Sequence, residues 1–269
     1  MAVFSKDASG VVVSVPNRPT RIVSLVPSVT ETLFALGLGH RVVGVTDWCI
    51  HPAEALRSLP RVKGTKNPDL AAIAALEPDL VIANLEENRE VDVRRLREGG
   101  LLVWVDFPCT VPEVIEHVRW LAGLGAPDDA RAALLRAIET AAREVDGRHG
   151  DARRCFLPVW KDPWMTISAS TYAHDLLSRL GLQNVFADEP GRYPRVTIEQ
   201  IRERDPEIIL LPDEPYAFTE ADAGALRTEL ATAAAARNGR IHLVDGTLAF
   251  WHGPRTARAL TEGLVPKGR

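Results

Sequence analysis

The sequence predicts an α/β fold of two lobes, each built on a parallel sheet, joined by one long helix. Three observations carry that prediction. Apolar strands alternate with amphipathic helices along most of the chain, which favours parallel sheets. The phrase Ile73-Ala-Ala-Leu-Glu-Pro78-Asp79-Leu-Val-Ile82 returns in altered form as Ile201-Arg-Glu-Arg-Asp-Pro206-Glu207-Ile-Ile-Leu210, so one architectural unit occurs twice. Between the copies, residues 128–145 place Leu134, Leu135, Ile138, Ala142 and Val145 on one face of a helix. About 20 residues at 1.5 Å each make a rod of about 30 Å, enough to connect two lobes. The expected division is residues 1–125 for the first lobe with an N-terminal hairpin, 126–150 for the linking helix and 151–269 for the second lobe.

Each element has a local reason. Residues 4–15 form a hairpin with its turn at Asp7-Ala-Ser-Gly10. Residues 21–26 are a buried strand, and Ser28 with Glu31 supplies a capping box for the following helix. Gly37 and Gly39 end that helix. They precede a strand at 41–45, the reverse of a dinucleotide-binding loop, so a C-cap role is expected. Strands at 79–82 and 101–105 alternate with helices at 91–98 and 111–122. The long helix closes at Gly147 and Gly150. A strand at 155–160, helices at 172–180 and 198–204, a strand at 241–244 and a helix from Pro254 complete the second lobe. In the repeated phrase, Asp69 and Thr197 cap the helices, and Pro78 and Pro206 end them.

Composition excludes several classes of function. A net charge of -4 with interspersed signs leaves no basic stripe for nucleic acid, and no apolar run approaches the ~20 residues of a membrane span. Residues 1–7 lack the apolar core of a secretory signal. Cys49, Cys109 and Cys155 are odd in number and have no CxxC spacing, which points to free thiols.

Trp48, Trp160, Trp164 and Trp251 fall at or just after strand ends, where open α/β sheets bind ligands, and Tyr172, Tyr193 and Tyr216 join them. Singly, each can be a lid on the core; as a set they suggest a cleft for a large, flat, partly apolar ligand. Trp104 and Trp120 read as core. The polar candidates are Lys66, Asn67, Glu86, Glu87, Asn88, Lys161, Asp162, Asp213, Glu214 and His252, with solvated loop tips as the alternative. No Gly-x-Ser-x-Gly, Walker loop or His-Glu-x-x-His occurs, and nothing defines an acid-base pair.

The run Arg21-Ile-Val-Ser-Leu-Val-Pro-Ser-Val-Thr-Glu-Thr-Leu-Phe-Ala-Leu-Gly-Leu-Gly39, then Val43-Gly-Val45 and Pro78-Asp-Leu-Val-Ile82, resembles the class III substrate-binding proteins of ABC transporters. These helical-backbone receptors carry vitamin B12, haem or ferric siderophores. The segments Gly191-Arg-Tyr-Pro-Arg-Val-Thr-Ile-Glu-Gln200 and Gly253-Pro-Arg255 bring the likeness nearest to the cobalamin-binding branch. The resemblance implies two Rossmann-like lobes and a cleft between them lined by Pro27, Ser28, Trp48, Lys66, Asn67, Trp160, Trp164, Tyr193, Trp251 and His252. It implies a cobalt corrinoid or other metal chelate as ligand, no intrinsic cofactor, no resident metal and no catalysis. His252 is a hydrogen-bonding or axial-ligand candidate. Glu87, Asn88, Glu214 and Tyr216 complete the expected ligand set from the strand-end loops.

The resemblance also implies a monomer docking on a permease through one glutamate per lobe. Glu199 occupies the place in the second lobe; in the first it is Ala71, with Asp69 nearby. The resemblance implies a periplasmic or cell-surface location, and the absence of a signal in residues 1–7 makes the cytoplasm the alternative. Alternative cargoes are haem and ferric siderophores. From other classes, a corrinoid-processing or chelatase-like enzyme would use Glu86, Glu87, Glu214 and His252, and a free-metal receptor His51, His174 and His252.

Overall fold

The computed structural model describes residues 2–146 and 152–265. The chain divides into two compact units, Met1–Pro108 with Glu113–Ala137, and Cys109–Pro112 with Ile138–Arg269. The division falls within the long helix.

In the first unit, the hairpin β1 (Ala2–Lys6) and β2 (Val12–Pro16) precedes β3 (Ile22–Ser24), α1 (Pro27–Ala35), β4 (Val42–Val45) and α2 (Ala53–Leu56). A two-stranded ribbon, β5 (Lys63–Gly64) and β6 (Asn67–Pro68), leads to α3 (Leu70–Ala75), β7 (Leu80–Asn84), α4 (Glu90–Glu98) and β8 (Val103–Asp106). Helices α5 (Val111–Gly123) and α6 (Asp128–Asp146) follow. The sheet order is β4-β3-β7-β8, all parallel. Asp7 ties the hairpin to the edge strand β8, accepting from Val105 N at 3.1 Å and pairing with Arg97 at 2.5 Å. A covered edge cannot recruit another strand.

The second unit runs β9 (Arg153–Phe156), β10 (Pro158–Trp160), β11 (Met165–Thr166), α7 (Tyr172–Arg179), β12 (Leu182–Asn184), α8 (Ile198–Arg204), β13 (Ile208–Pro212), α9 (Glu220–Glu229), α10 (Ala234–Arg237), β14 (Ile241–Val244), α11 (Gly246–Phe250) and α12 (Pro254–Glu262). Its sheet, β12-β9-β13-β14, is also parallel and has the same topology as the first. Strands β7 and β13 are buried along their whole lengths, as strands covered on both faces must be.

The repeated phrase occupies the same place in both units. Asp69 caps α3 by accepting from Ala72 N at 3.1 Å, and Thr197 caps α8 in a capping box with Gln200. Glu77 and Asp205, each just before the proline, are left-handed with φ of 45° and 43°. An arginine on the first strand side braces each bend. Arg21 donates to the carbonyls of Leu76 and Glu77, and Arg154 to the carbonyl of Asp205. The acid after the proline then accepts from that strand's backbone: Asp79 from Thr20 N and Arg21 N, Glu207 from Arg154 N.

Several local expectations are corrected. Ser28 does not cap α1: Pro27 takes the first helical position, Val26 is the N-cap without a side-chain hydrogen bond, and Ser28 lies inside the first turn. Gly37 is left-handed (φ 71°) after the helix, but Gly39 is a packing glycine, since a Cβ there would collide with the Phe34 ring. The strand expected at 155–160 is two strands, parted at Leu157. Helices α9, α10 and α11 add to the expected elements; their Ala- and Gly-rich segments carry little apolar periodicity. The helix stop expected at Gly147 and Gly150 lies outside the described residues.

Candidate functional site

In a parallel sheet the carboxyl ends of all strands lie along one edge, where loops are free to carry function. In the first unit, β3 delivers Pro27 and Ser28, both buried at the start of α1. Trp48 follows β4 and is 64% exposed, an unusual state for the largest apolar side chain. The β5–β6 ribbon positions it: a Cβ at Gly64 would collide with Asn67 Oδ1 and stand 3.3 Å from Trp48 Nε1. Lys66 on the same ribbon donates to the carbonyl of Glu86.

Two asparagines build the loop after β7. Asn84 Oδ1 accepts from the amides of Glu86 (2.7 Å) and Glu87 (3.2 Å), while Asn88 accepts from Asn84 N and donates to Thr65 O at 2.9 Å. Glu86 and Glu87 are left half-exposed at the loop tip. Cys49 is fully buried, with Thr30 and Thr46 hydroxyls at 3.2 and 3.1 Å, and burial pushes its thiol up, so it is not a reactive thiolate. All three cysteines are unbridged.

The strand ends of the second unit carry a row of rings. Trp160, 45% exposed at the end of β10, meets Tyr216 edge-on at 5.4 Å; Tyr216 leans on Phe218 at 4.7 Å, and Phe218 stacks on Trp164 at 5.8 Å. Trp164 also meets Phe156, so it anchors the row in the core instead of standing open. Lys161 lies over the Trp164 ring at 6.0 Å and pairs with Asp222 at 2.6 Å. Asp162 is exposed beside it. Tyr193 is half-buried in a segment laced to β11 by Thr166 N to Pro194 O, 3.0 Å.

Charged groups cluster behind that row. Asp213 accepts from Gly246 N at 2.7 Å. Glu214 packs so tightly against Gly246 that a Cβ there would lie 2.6 Å from the Glu214 carbonyl oxygen. Burial pushes the Glu214 carboxyl up to about 7, opposed by a hydrogen bond from Trp251 and assisted by Asp213 and Asp245. Trp251 is only 7% exposed, with the Arg255 guanidinium 5.1 Å over its ring, so it supports the loop and offers little open face. His252 is buried against Tyr172 at 6.3 Å, and burial drives it down to about 4, leaving a neutral imidazole at pH 7. Tyr172 itself is core, its hydroxyl 2.9 Å from Thr256. His51 belongs to the first unit, and His174 and His252 to the second.

The docking candidates differ in state. Glu199 is exposed in the first turn of α8, whereas Asp69 both caps α3 and pairs with Lys63 at 2.9 Å; Ala71 is exposed on α3. Two contributors escaped the sequence reading. Phe218 was legible as the i+2 partner of Tyr216; the Lys161–Asp222 pair, 61 residues apart, left no local signal.

A fold of two topologically equivalent parallel sheets, with exposed rings and hydrogen-bonding loops at their strand ends, defines a ligand-binding protein. The chain belongs to the periplasmic binding protein family, whose model matches residues 22–247. It is a binding protein and not an enzyme. It is 29% identical over 202 residues to the vitamin B12-binding protein of Pectobacterium carotovorum, covering 73% of this chain and 72% of that one. To YvrC of Bacillus subtilis, an uncharacterised ABC transporter substrate-binding lipoprotein, it is 27% identical over 265 residues, 95% of this chain and 82% of the other. The crystal structure of the periplasmic vitamin B12 binding protein BtuF of Vibrio cholerae superposes with a TM-score of 0.80 at 26% identity, covering 92% of this chain and 96% of that one.

Proposed function

We propose that this chain binds a corrinoid of the vitamin B12 type outside the cytoplasm and passes it to the permease of an ABC uptake system. The observation that carries the reading is the pair of exposed tryptophans beside strand ends, Trp48 after β4 at 64% and Trp160 at the end of β10 at 45%. Large rings left in water are uncommon, and flat faces of this kind bury much area against a macrocycle. Lys66, Asn67, Glu87 and Asn88 in one unit and Tyr193, Glu214 and Tyr216 in the other supply polar contacts to corrin side groups, with Pro27 and Ser28 shaping the first loop. Trp164, Trp251 and His252 hold the loops from beneath, His252 offering a neutral nitrogen. The names of the relatives support the same ligand. The chain acts as a monomer and meets the permease through Glu199, with Asp69 partly committed to Lys63.

Removing the two exposed rings tests the site. W48A and W160A, each retaining the circular dichroism of the parent, should lose about ten-fold or more in cobalamin affinity, about 1.4 kcal/mol each. If both bind as tightly as the parent chain, the tryptophans are not the ligand platform and the reading fails.

A further inference from the structure

A second, smaller feature lies in the first unit, between the end of the N-terminal hairpin, the edge strand β8 and helix α5. A cavity of about 270 Å³ is lined there by Lys6, Trp104, Asp106, Glu113, His117 and Trp120 among others. We propose that this cavity is a site for a divalent transition-metal ion of the zinc type, held by Asp106 and His117 and closed at its mouth by Glu113.

Geometry comes first. Asp106 ends β8 and is 4% exposed; His117 on α5 is 9% exposed, and its Nε2 lies 3.1 Å from Asp106 Oδ2. A tetrahedral zinc with bonds near 2.0–2.1 Å sets neighbouring ligand atoms about 3.3 Å apart, so an ion fits both atoms with a shift of a few tenths of an ångström. Glu113 precedes His117 by four residues and therefore shares its helix face. It is exposed and lines the cavity.

The surroundings suit an ion better than an organic ligand. The cavity is smaller than the roughly 300–1,000 Å³ that drug-sized molecules occupy. One wall is the stacked pair Trp104 and Trp120, with centroids 4.1 Å apart, an apolar shell that strengthens charge interactions inside it. The Asn84 side chain hydrogen-bonds the Asp106 carboxylate, as partners of metal ligands commonly do. Imidazole with carboxylate is a donor set for zinc and its first-row neighbours. Lys6, on the hairpin, is the opposing cation at the rim and is exposed.

The test uses the whole chain, dialysed against chelator and titrated with zinc chloride by calorimetry, with cobalt(II) absorption reporting ligand geometry. One zinc per chain should bind with a dissociation constant below about 10 μM. D106N and H117Q should each weaken binding ten-fold or more, and E113Q, at an exposed helical position, about three-fold or more. No zinc binding below about 100 μM by protein of native circular dichroism overturns the proposal. So does zinc that binds all three variants as it binds the parent, which would place it at other histidines. If D106N and H117Q do not fold, E113Q decides: an unchanged affinity overturns the site.

Discussion

Glu214 lies in the loop after β13 and His252 in the loop between α11 and α12, and burial shifts them in ways that give opposite pH dependence. The Glu214 carboxyl is raised from its ordinary 4.5 to about 7, so its contribution to stability is complete below the unfolded value and is lost as pH rises through 7. His252 is lowered from 6.5 to about 4, so its contribution is present above 6.5 and is lost as pH falls toward 4. E214Q should therefore gain thermal stability relative to the parent chain on going from pH 5 to pH 8. H252Q should lose its disadvantage as pH falls from 7 to 4. Melting temperatures of the three proteins across that range check both; a pH-independent difference for either variant contradicts the burial described for that residue. Neither shift was legible in the sequence, because burial depends on elements distant in the chain.

The repeated phrase shows how far single elements could be read in advance. Its capping residues, its terminating prolines and its two strands follow from local propensity, and all lie where those rules put them. The bracing by Arg21 and Arg154, and the clamping of the first strand by Asp79 and Glu207, were hidden because each joins residues more than 50 positions apart. Asp79 accepts two backbone amides and a hydroxyl, whereas Glu207 accepts one amide. D79A should accordingly cost about 2 kcal/mol and E207A about 1 kcal/mol. Urea unfolding followed by fluorescence checks the order; an equal or reversed pair of losses would show that the clamp is not the repeat's source of stability. Pattern rules failed elsewhere for stated reasons. Proline displaced the expected cap at Ser28, and packing against Phe34 displaced the expected C-cap role of Gly39.

At the scale of the molecule, duplication gives two sheets of one topology, and each carries candidate ligand-binding residues near the ends of its own strands. The aromatic candidates divided on folding. Trp48 and Trp160 remain exposed, while Trp164 and Trp251 turn inward and brace the loops. The positions of Trp48, Trp160 and Trp164 were legible because strand ends were legible, whereas Trp251, expected at a strand end, follows helix α11; burial was not legible, because it depends on partners such as Phe218 and Arg255 supplied by other elements. The central claim is that this arrangement captures a corrinoid. Calorimetric titration with cobalamin, cobinamide, haemin and a ferric siderophore tests it most directly. One corrinoid per chain with nanomolar affinity, about -12 kcal/mol, is the predicted result. Saturation by haemin or the siderophore with no corrinoid binding below about 10 μM would contradict it.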